Sequence, residues 1–148
     1  MPEKETLERA EEDKREGKAP STQAGEFVRE EIEHVREGKH GARSTKQAIA
    51  IGLSKARRAG VDLPPPEKGK ASTKTRKQAA RDVRKGKSGS KSTKSTKRSR
   101  TSSEALKREG HSAASKKALS RQARSAAAKR SAKSRSRSAK KAAATRKK

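Results

Sequence analysis

Apolar side chains recur with helical spacing in one part of this chain, residues 20–63. Val28, Ile32 and Val35 follow an i, i+4, i+7 spacing, and Phe27 precedes them directly. This spacing places the side chains on or beside one face of a helix. The pattern therefore predicts a first helix with a narrow apolar face.

A second helix is predicted to begin at Ser44, because Gln47 three residues later completes a capping-box pattern. Ile49, Leu53 and Ala56 would form its apolar stripe. We expect the two stripes to face each other in an αα-hairpin.

Glycines mark the ends of both predicted helices, Gly38 for the first and Gly60 for the second. The linker between the helices, residues 39–43, is short. A hairpin core of this size lies at or below the limit for unaided folding, which leaves self-association through the hairpin open.

The segments on either side of the hairpin lack this pattern. Residues 1–19 are acidic and polar, and we predict a fraying helical head there, because short isolated helices are marginal in water. Residues 64–69 include three consecutive prolines, which cannot continue a helix, and form a predicted Pro-rich spacer.

Residues 70–148 are predicted to be a largely disordered basic tail. Their large aliphatic side chains are Val83, Leu106 and Leu119, too few to organise a core of their own. The expected fold class is therefore small all-α, a helical hairpin with a largely disordered C-terminal tail. Transient helices are expected within the tail at residues 76–85 and 113–133.

A short internal echo links the hairpin to the tail. The sequence Arg-Glu-Gly-Lys-His at residues 36–40, followed by Ser44, resembles Arg-Glu-Gly-His at residues 108–111, followed by Ser115. The amino-acid composition of this chain is so biased that chance similarity and true duplication are both open interpretations.

The charge of the chain indicates a class of binding partner. The formal net charge is +26, and it is unevenly distributed. Residues 1–40 hold 8 Lys/Arg against 12 Asp/Glu, whereas residues 41–148 hold 35 against 5. Such a field attracts polyanions, and nucleic acid is the expected partner. The acidic head is expected to fold back on the tail or to tune its affinity.

The candidate nucleic-acid-binding residues are the cations of the second helix and of the tail, which can neutralise phosphates. They are Arg43, Lys46, Lys55, Arg57, Arg58, Lys74, Arg76, Lys77, Arg81, Arg84, Lys85, Lys94, Lys97, Arg98, Arg100, Lys116, Lys117, Arg121, Arg124, Lys129, Arg130, Lys133, Arg135 and Arg137.

The tail has no aromatic residue on which bases could stack, which disfavours single strands and aromatic-bearing RNA modules. We therefore predict sequence-independent binding and condensation of duplex DNA, histone-like and nucleoid-associated. The alternatives are an RNA- or ribosome-associated basic protein and a disordered stress-protective protein. The high net charge argues against the last of these.

The sequence predicts no enzyme, no cofactor, no metal site and no small-molecule substrate. It has no cysteine and no Gly-rich phosphate loop or nucleophile elbow. His34 and His40 could meet across the hairpin turn with Glu31 or Glu37 near, but structural zinc normally has four well-placed ligands. We therefore expect solvent-exposed histidines, His111 included.

No apolar run is long enough to cross a membrane, and the first residues lack the features of a secretory signal. The expected location is the cytoplasm, at the nucleoid. No membrane partner is expected.

The stretch STKQAIAIGLSKARRAG at residues 44–60 resembles the core motif of a family of small basic bacterial proteins, often labelled only as DNA-binding. The similarity extends over about residues 25–64 and implies a bacterial protein of undefined function, with no catalytic residues. Residues 68–148 are similar in composition to the Lys/Ala/Ser tails of linker histones and bacterial histone-like proteins. The winged-helix domain of linker histones is absent, so only tail behaviour carries over.

Overall fold

The computed structural model describes residues 1–89, 93 and 95–147. Their regular structure is helical, apart from one isolated bridge between Lys68 and Ala71. In chain order the helices are α1 (Lys4–Arg15), α2 (Pro20–Arg36), α3 (Thr45–Arg58), α4 (Thr73–Ser88), α5 (Thr96–Lys107), α6 (Lys116–Ala128) and α7 (Ala132–Arg146), with a 3₁₀ turn at Ser112–Ala114. Among these residues, no helix combines the length and the apolar character that crossing a bilayer needs.

The C-terminus of α2 and both ends of α3 lie where the sequence predicts them. Ser44 caps α3, its hydroxyl accepting from the Gln47 backbone N–H at 3.2 Å, and Gln47 Oε1 accepts in turn from the Arg43 N–H. Gly38 and Gly60 follow the two helices with φ of +74° and +97°, a region that glycine enters without steric cost. The predicted boundary signals are confirmed.

The face of α3 that packs on α2 differs from the predicted stripe. Ala48, Gly52 and Ala56 are buried there at i, i+4, i+8, whereas Ile49 and Leu53 lie beside this line and are half-buried. The reason is a close approach of the two backbones, which small side chains permit and large ones obstruct.

The approach is closest at Gly52. A Cβ placed on this residue would lie 2.6 Å from the Val28 Cα and 3.0 Å from the Phe27 carbonyl oxygen. Phe27 is itself buried, and Val28 is half-buried beside it. The predicted apolar face of α2 is thus rotated toward Phe27.

The predicted acidic head is a helix that packs against α2. Thr6 and Ala10 of α1 are buried, and Ala10 forms one apolar cluster with Ala24, Phe27 and Ala56. The head therefore lies on the hairpin, not on the basic tail.

The predicted disorder of the tail is wrong. Four helices, α4 to α7, lie after residue 70, and each begins at a serine whose hydroxyl accepts a backbone N–H three residues on. Such caps favour helix formation locally. Helices α4 and α6 overlap the expected transient helices, whereas α5 lies largely in a Ser/Thr/Lys run without an apolar pattern.

Tail residues also complete the core of the hairpin, which the count of large aliphatic side chains overlooked. Ala113 and Ala114 are buried in one cluster with Ile32, Val35 and Ala48, and Leu119 packs against it. Alanines supply this contact because the backbones come close together. The tail segment is thus part of the folded unit.

The two segments that carry the internal echo contact each other. The Gly41 N–H donates to the Leu106 carbonyl at 2.9 Å, and the Ala42 N–H donates to the Gly110 carbonyl at 3.0 Å. A Cβ on Gly41 would lie 1.9 Å from the Glu109 carbonyl oxygen, so only glycine permits this contact.

Helix α4 is anchored to α3 through Asp82, a side chain only 2% exposed. Its carboxylate accepts from the Ser54 hydroxyl and from the Arg58 Nε, both at 2.8 Å, and from the Gln78 amide at 3.1 Å. A buried carboxylate needs such partners, so α4 is fixed at this point.

We predict that Gly52→Ala lowers the free energy of unfolding by about 1–3 kcal/mol, because its methyl group overlaps the α2 backbone. Gly25→Ala is the matched control, since Gly25 is also helical but has nothing within 4 Å of an added Cβ. It should raise that free energy by about 0.5–1 kcal/mol. Urea unfolding followed by circular dichroism measures both, and equal effects would refute the close approach.

We predict that Asp82→Asn weakens the attachment of α4 by about 1–3 kcal/mol, because buried hydrogen-bond donors lose a charged acceptor. Amide exchange should accelerate in Thr73–Ser88 while α2 stays protected. Glu104→Gln is the control: it removes only an exposed pair with Arg100 and should cost about 0.3–0.5 kcal/mol. Unchanged protection of α4 in Asp82→Asn would contradict the anchoring role.

Candidate nucleic-acid interface

A basic groove lies where the N-termini of α3 and α6 converge, with a volume of about 640 Å³. Four predicted site residues contribute their cationic side chains to it: Arg43, Lys46, Lys117 and Arg121. The described residues that line the groove include no carboxylate. The site therefore combines positive charge with no internal counter-ion.

Local sequence signals position the two helix ends that form this groove. Ser44 and Ser115 are the caps of α3 and α6, and both line the groove. Lys117, Arg121 and Ser125 follow at i, i+4, i+8 and so share one face of α6. Backbone N–H groups in the first turn of a helix have no intrahelical acceptor, and the helix dipole makes that end positive.

Two long-range hydrogen bonds join the 3₁₀ turn that precedes α6 to α3 and α2. The Thr45 hydroxyl donates to the Ala113 carbonyl at 2.6 Å, and Arg36 Nε donates to the Ala114 carbonyl at 2.9 Å. Thr45 is buried and lines the groove as well. The internal echo marks both of these segments in the sequence, but it does not predict that they contact each other.

Several predicted site residues are engaged inside the protein. Arg57 donates from Nε to the Leu63 carbonyl at 3.2 Å and from a terminal nitrogen to the Pro64 carbonyl at 3.3 Å. Arg76 Nε donates to the Pro66 carbonyl at 3.1 Å. These two arginines fold the Pro-rich spacer against the helices, and Arg58 is held by Asp82.

Lys55 of α3, another predicted site residue, lies between two buried carboxylates of α2. Its Nζ is 3.1 Å from Glu30 Oε1 and is also in ionic contact with Glu31 Oε1. Burial lowers the pKa of Lys55, but the negative charges of Glu31 and Glu30 outweigh it and raise the pKa overall. Lys55 is thus a charged internal group.

The remaining predicted cations are exposed on or beside α4 to α7, and the structure does not gather them into the groove. Arg100 pairs with Glu104, and Arg130 donates to Ser134 and Ser138. Lys94 lies outside the described residues. The exposed set comprises Lys74, Lys77, Arg81, Arg84, Lys85, Lys97, Arg98, Arg100, Lys116, Arg124, Lys129, Arg130, Lys133, Arg135 and Arg137.

The expectation of solvent-exposed histidines fails for two of the three. The side chains of His34 and His40 are 13% and 16% exposed, and both rings contact the carboxylate of Glu31. The hairpin turn brings them together because His34 lies in the last turns of α2 and His40 lies in the linker that follows. Glu31, one turn before His34, reaches the pair, whereas Glu37 does not join them. His111 is exposed, as expected.

Comparison with known protein families finds a similarity for part of this chain. Residues 13–68 match a family of unknown function, DUF6496. The matched segment contains α2, α3 and the motif at residues 44–60, in agreement with the resemblance to an uncharacterised family. No curated protein matches the chain, and no solved structure does.

We predict that the hairpin loses stability in acid because of Glu30. Burial raises the pKa of this carboxyl, but hydrogen bonds from the Glu3 N–H, Thr6 and Lys55 outweigh it, so the pKa lies below its usual value of 4.5. A lowered folded-state pKa stabilises the protein above the unfolded pKa, and the stabilisation is lost as pH falls through the folded value.

Thermal unfolding between pH 6 and pH 3, about the ordinary carboxyl range, measures this effect. Glu30→Gln should show a flatter decline than the unmodified protein, because its amide does not titrate. Glu8→Gln, at an exposed position of α1, is the control and should keep the original decline. Parallel curves for all three proteins would exclude Glu30 as the source.

Proposed function

We propose that this protein binds duplex DNA through its phosphates, largely independently of sequence, and condenses it as a nucleoid-associated, histone-like protein. The observation that carries the proposal is the basic groove between α3 and α6, lined by four cations without a carboxylate. Phosphate oxygens are the natural ligands of such a surface, because cations, serine hydroxyls and helix N-termini all bind them.

Exposed cations outside the groove support the condensing role. Helix α7 has no buried residue among those described. A helix turns about 100° per residue, so Arg135 lies roughly opposite Lys133 and Arg137. Cations on opposite sides of one helix can neutralise phosphates of two duplexes at once.

The absence of available aromatic rings supports binding without base readout. Phe27 is the one aromatic residue of the chain, and it is 1% exposed in the hairpin core. Platforms for single-stranded nucleic acid usually stack bases on exposed aromatic side chains. Arginine and lysine on phosphates fix position on the duplex but carry no sequence information.

The test compares two double variants of identical composition. Lys117→Ala with Arg121→Ala removes two groove cations, and Lys133→Ala with Arg137→Ala removes the same residue types at the same spacing from α7. We predict that the groove variant loses about tenfold in affinity for a short duplex, or about 1.4 kcal/mol. Its salt slope should fall by about 1.8, since each lost phosphate contact removes about 0.9.

The α7 variant should lose less than about threefold in affinity for one short duplex, but should need more protein to condense long DNA. Equal losses in both variants would assign binding to net charge without a central site. Failure of the unmodified protein to bind duplex DNA at physiological salt would refute the function itself. Competition with RNA of equal length distinguishes the alternative, an RNA- or ribosome-associated protein, which predicts RNA binding at least about tenfold tighter.

A further inference from the structure

A second cluster of polar side chains lies at the hairpin turn, and none of its residues lines the basic groove. It consists of Glu31 and His34 on α2 and His40 in the turn before α3. One ligand atom from each residue lies within 4.8 Å of the others. His40 Nε2 is 3.1 Å from Glu31 Oε2, and His34 Nδ1 is 3.8 Å from Glu31 Oε1.

The carboxylate of Glu31 is buried, and its side chain is only 1% exposed. It contacts Lys55, His34 and His40. Lys55 Nζ is in ionic contact with Oε1, but Oε2 faces His40. Lys55 therefore compensates charge at Oε1, whereas the atom opposite Oε2 is the His40 Nε2.

In each imidazole, one nitrogen points away from Glu31 and lies within hydrogen-bond distance of another oxygen. His40 Nδ1 lies 2.9 Å from the Gly41 carbonyl oxygen, and His34 Nε2 lies 2.9 Å from Glu3 Oε1. These oxygens can only accept, so each of those nitrogens carries the proton. In the neutral tautomer, the nitrogens nearest Glu31 therefore present lone pairs.

In this neutral tautomer, three electron-pair donors converge with no proton between them. Metal-bound histidines almost always donate their other N–H to a carboxylate or a backbone carbonyl, as both rings do here. Two atoms each about 2.0–2.1 Å from a zinc ion at the tetrahedral angle lie roughly 3.3 Å apart, close to the separation of His40 Nε2 and Glu31 Oε2.

We propose that Glu31, His34 and His40 form a binding site for a divalent transition-metal ion of the zinc class. Two imidazoles with one carboxylate suit zinc, whereas Mg²⁺ and Ca²⁺ prefer oxygen ligands alone. The ion binds Glu31 Oε2, His34 Nδ1 and His40 Nε2, with one position left for water. Lys55 keeps its contacts with Glu31 Oε1 and Glu30.

The bound ion would join the last turns of α2 to the linker before α3. A small apolar core gains most from such a cross-link, because metal binding free energy adds directly to folding free energy. The site therefore secures the hairpin turn, from which Gly41 and Ala42 contact the tail segment.

The experiment uses the full chain, stripped with a chelator and titrated with Zn²⁺ against a chromophoric chelator. We expect one zinc ion per chain, no displacement by excess Mg²⁺, and a higher midpoint of thermal unfolding with saturating zinc. Co²⁺ substitution should give the visible absorption of a four-coordinate ion. This absorption is measured on the unmodified chain, so it tests the site even if the variants do not fold.

His40→Gln should bind zinc at least about tenfold more weakly, because it removes one of three protein ligands. His111→Gln changes the same residue type at an exposed position and should bind as the unmodified protein does. Glu31→Gln, isosteric but uncharged, provides a second test if His40→Gln does not fold. Absence of stoichiometric zinc binding by the unmodified chain, or equal affinity in His40→Gln and His111→Gln, would overturn the proposal.

Discussion

The close approach of α2 and α3 at Gly52 is the constraint on which the rest of this structure depends. With one aromatic residue and few large aliphatic ones, the chain gains contact area by bringing backbones together rather than by interlocking large side chains. The same approach sets the position of Lys55, one turn from Gly52, over Glu30 and Glu31. Steric fit and charge pairing therefore reinforce each other at one interface.

The hairpin could be predicted because its signals are local. Ser44 with Gln47, and the glycines at 38 and 60, act within a few residues of the helix ends they define. The buried face of α3 could not be predicted in the same way. A count of large apolar side chains points to Ile49 and Leu53. The interface is instead formed by the small residues on the adjacent face of the helix.

The composition of the tail, taken by itself, does not predict its fold. Residues 70–148 have too few aliphatic side chains for a core of their own, but Ala113, Ala114 and Leu119 add to a core that the hairpin begins. Asp82 similarly depends on Ser54 and Arg58, which are distant in the sequence. A core that is shared between distant segments leaves no periodic pattern in either segment.

Two groups of cations in this chain cannot be separated by sequence alone. Lys55, Arg57, Arg58 and Arg76 bind carboxylates or carbonyls of the protein itself, whereas the groove cations have no carboxylate among the lining residues. The four groove residues were all in the predicted set, but so were the internal ones. The difference lies in the positions of a few acceptors, such as Asp82 and the carbonyls of the Pro-rich spacer.

The serine at the start of each tail helix has a consequence for how such a chain evolves. Because Ser131 supplies the cap of α7 locally, and α7 rests on no buried side chain of its own, its sequence is under little pressure from the core. Drift, duplication or loss of a helix of this kind would change the reach of the protein while leaving the hairpin intact. Related chains are therefore expected to agree in the hairpin and to differ most in the number of capped basic helices that follow it.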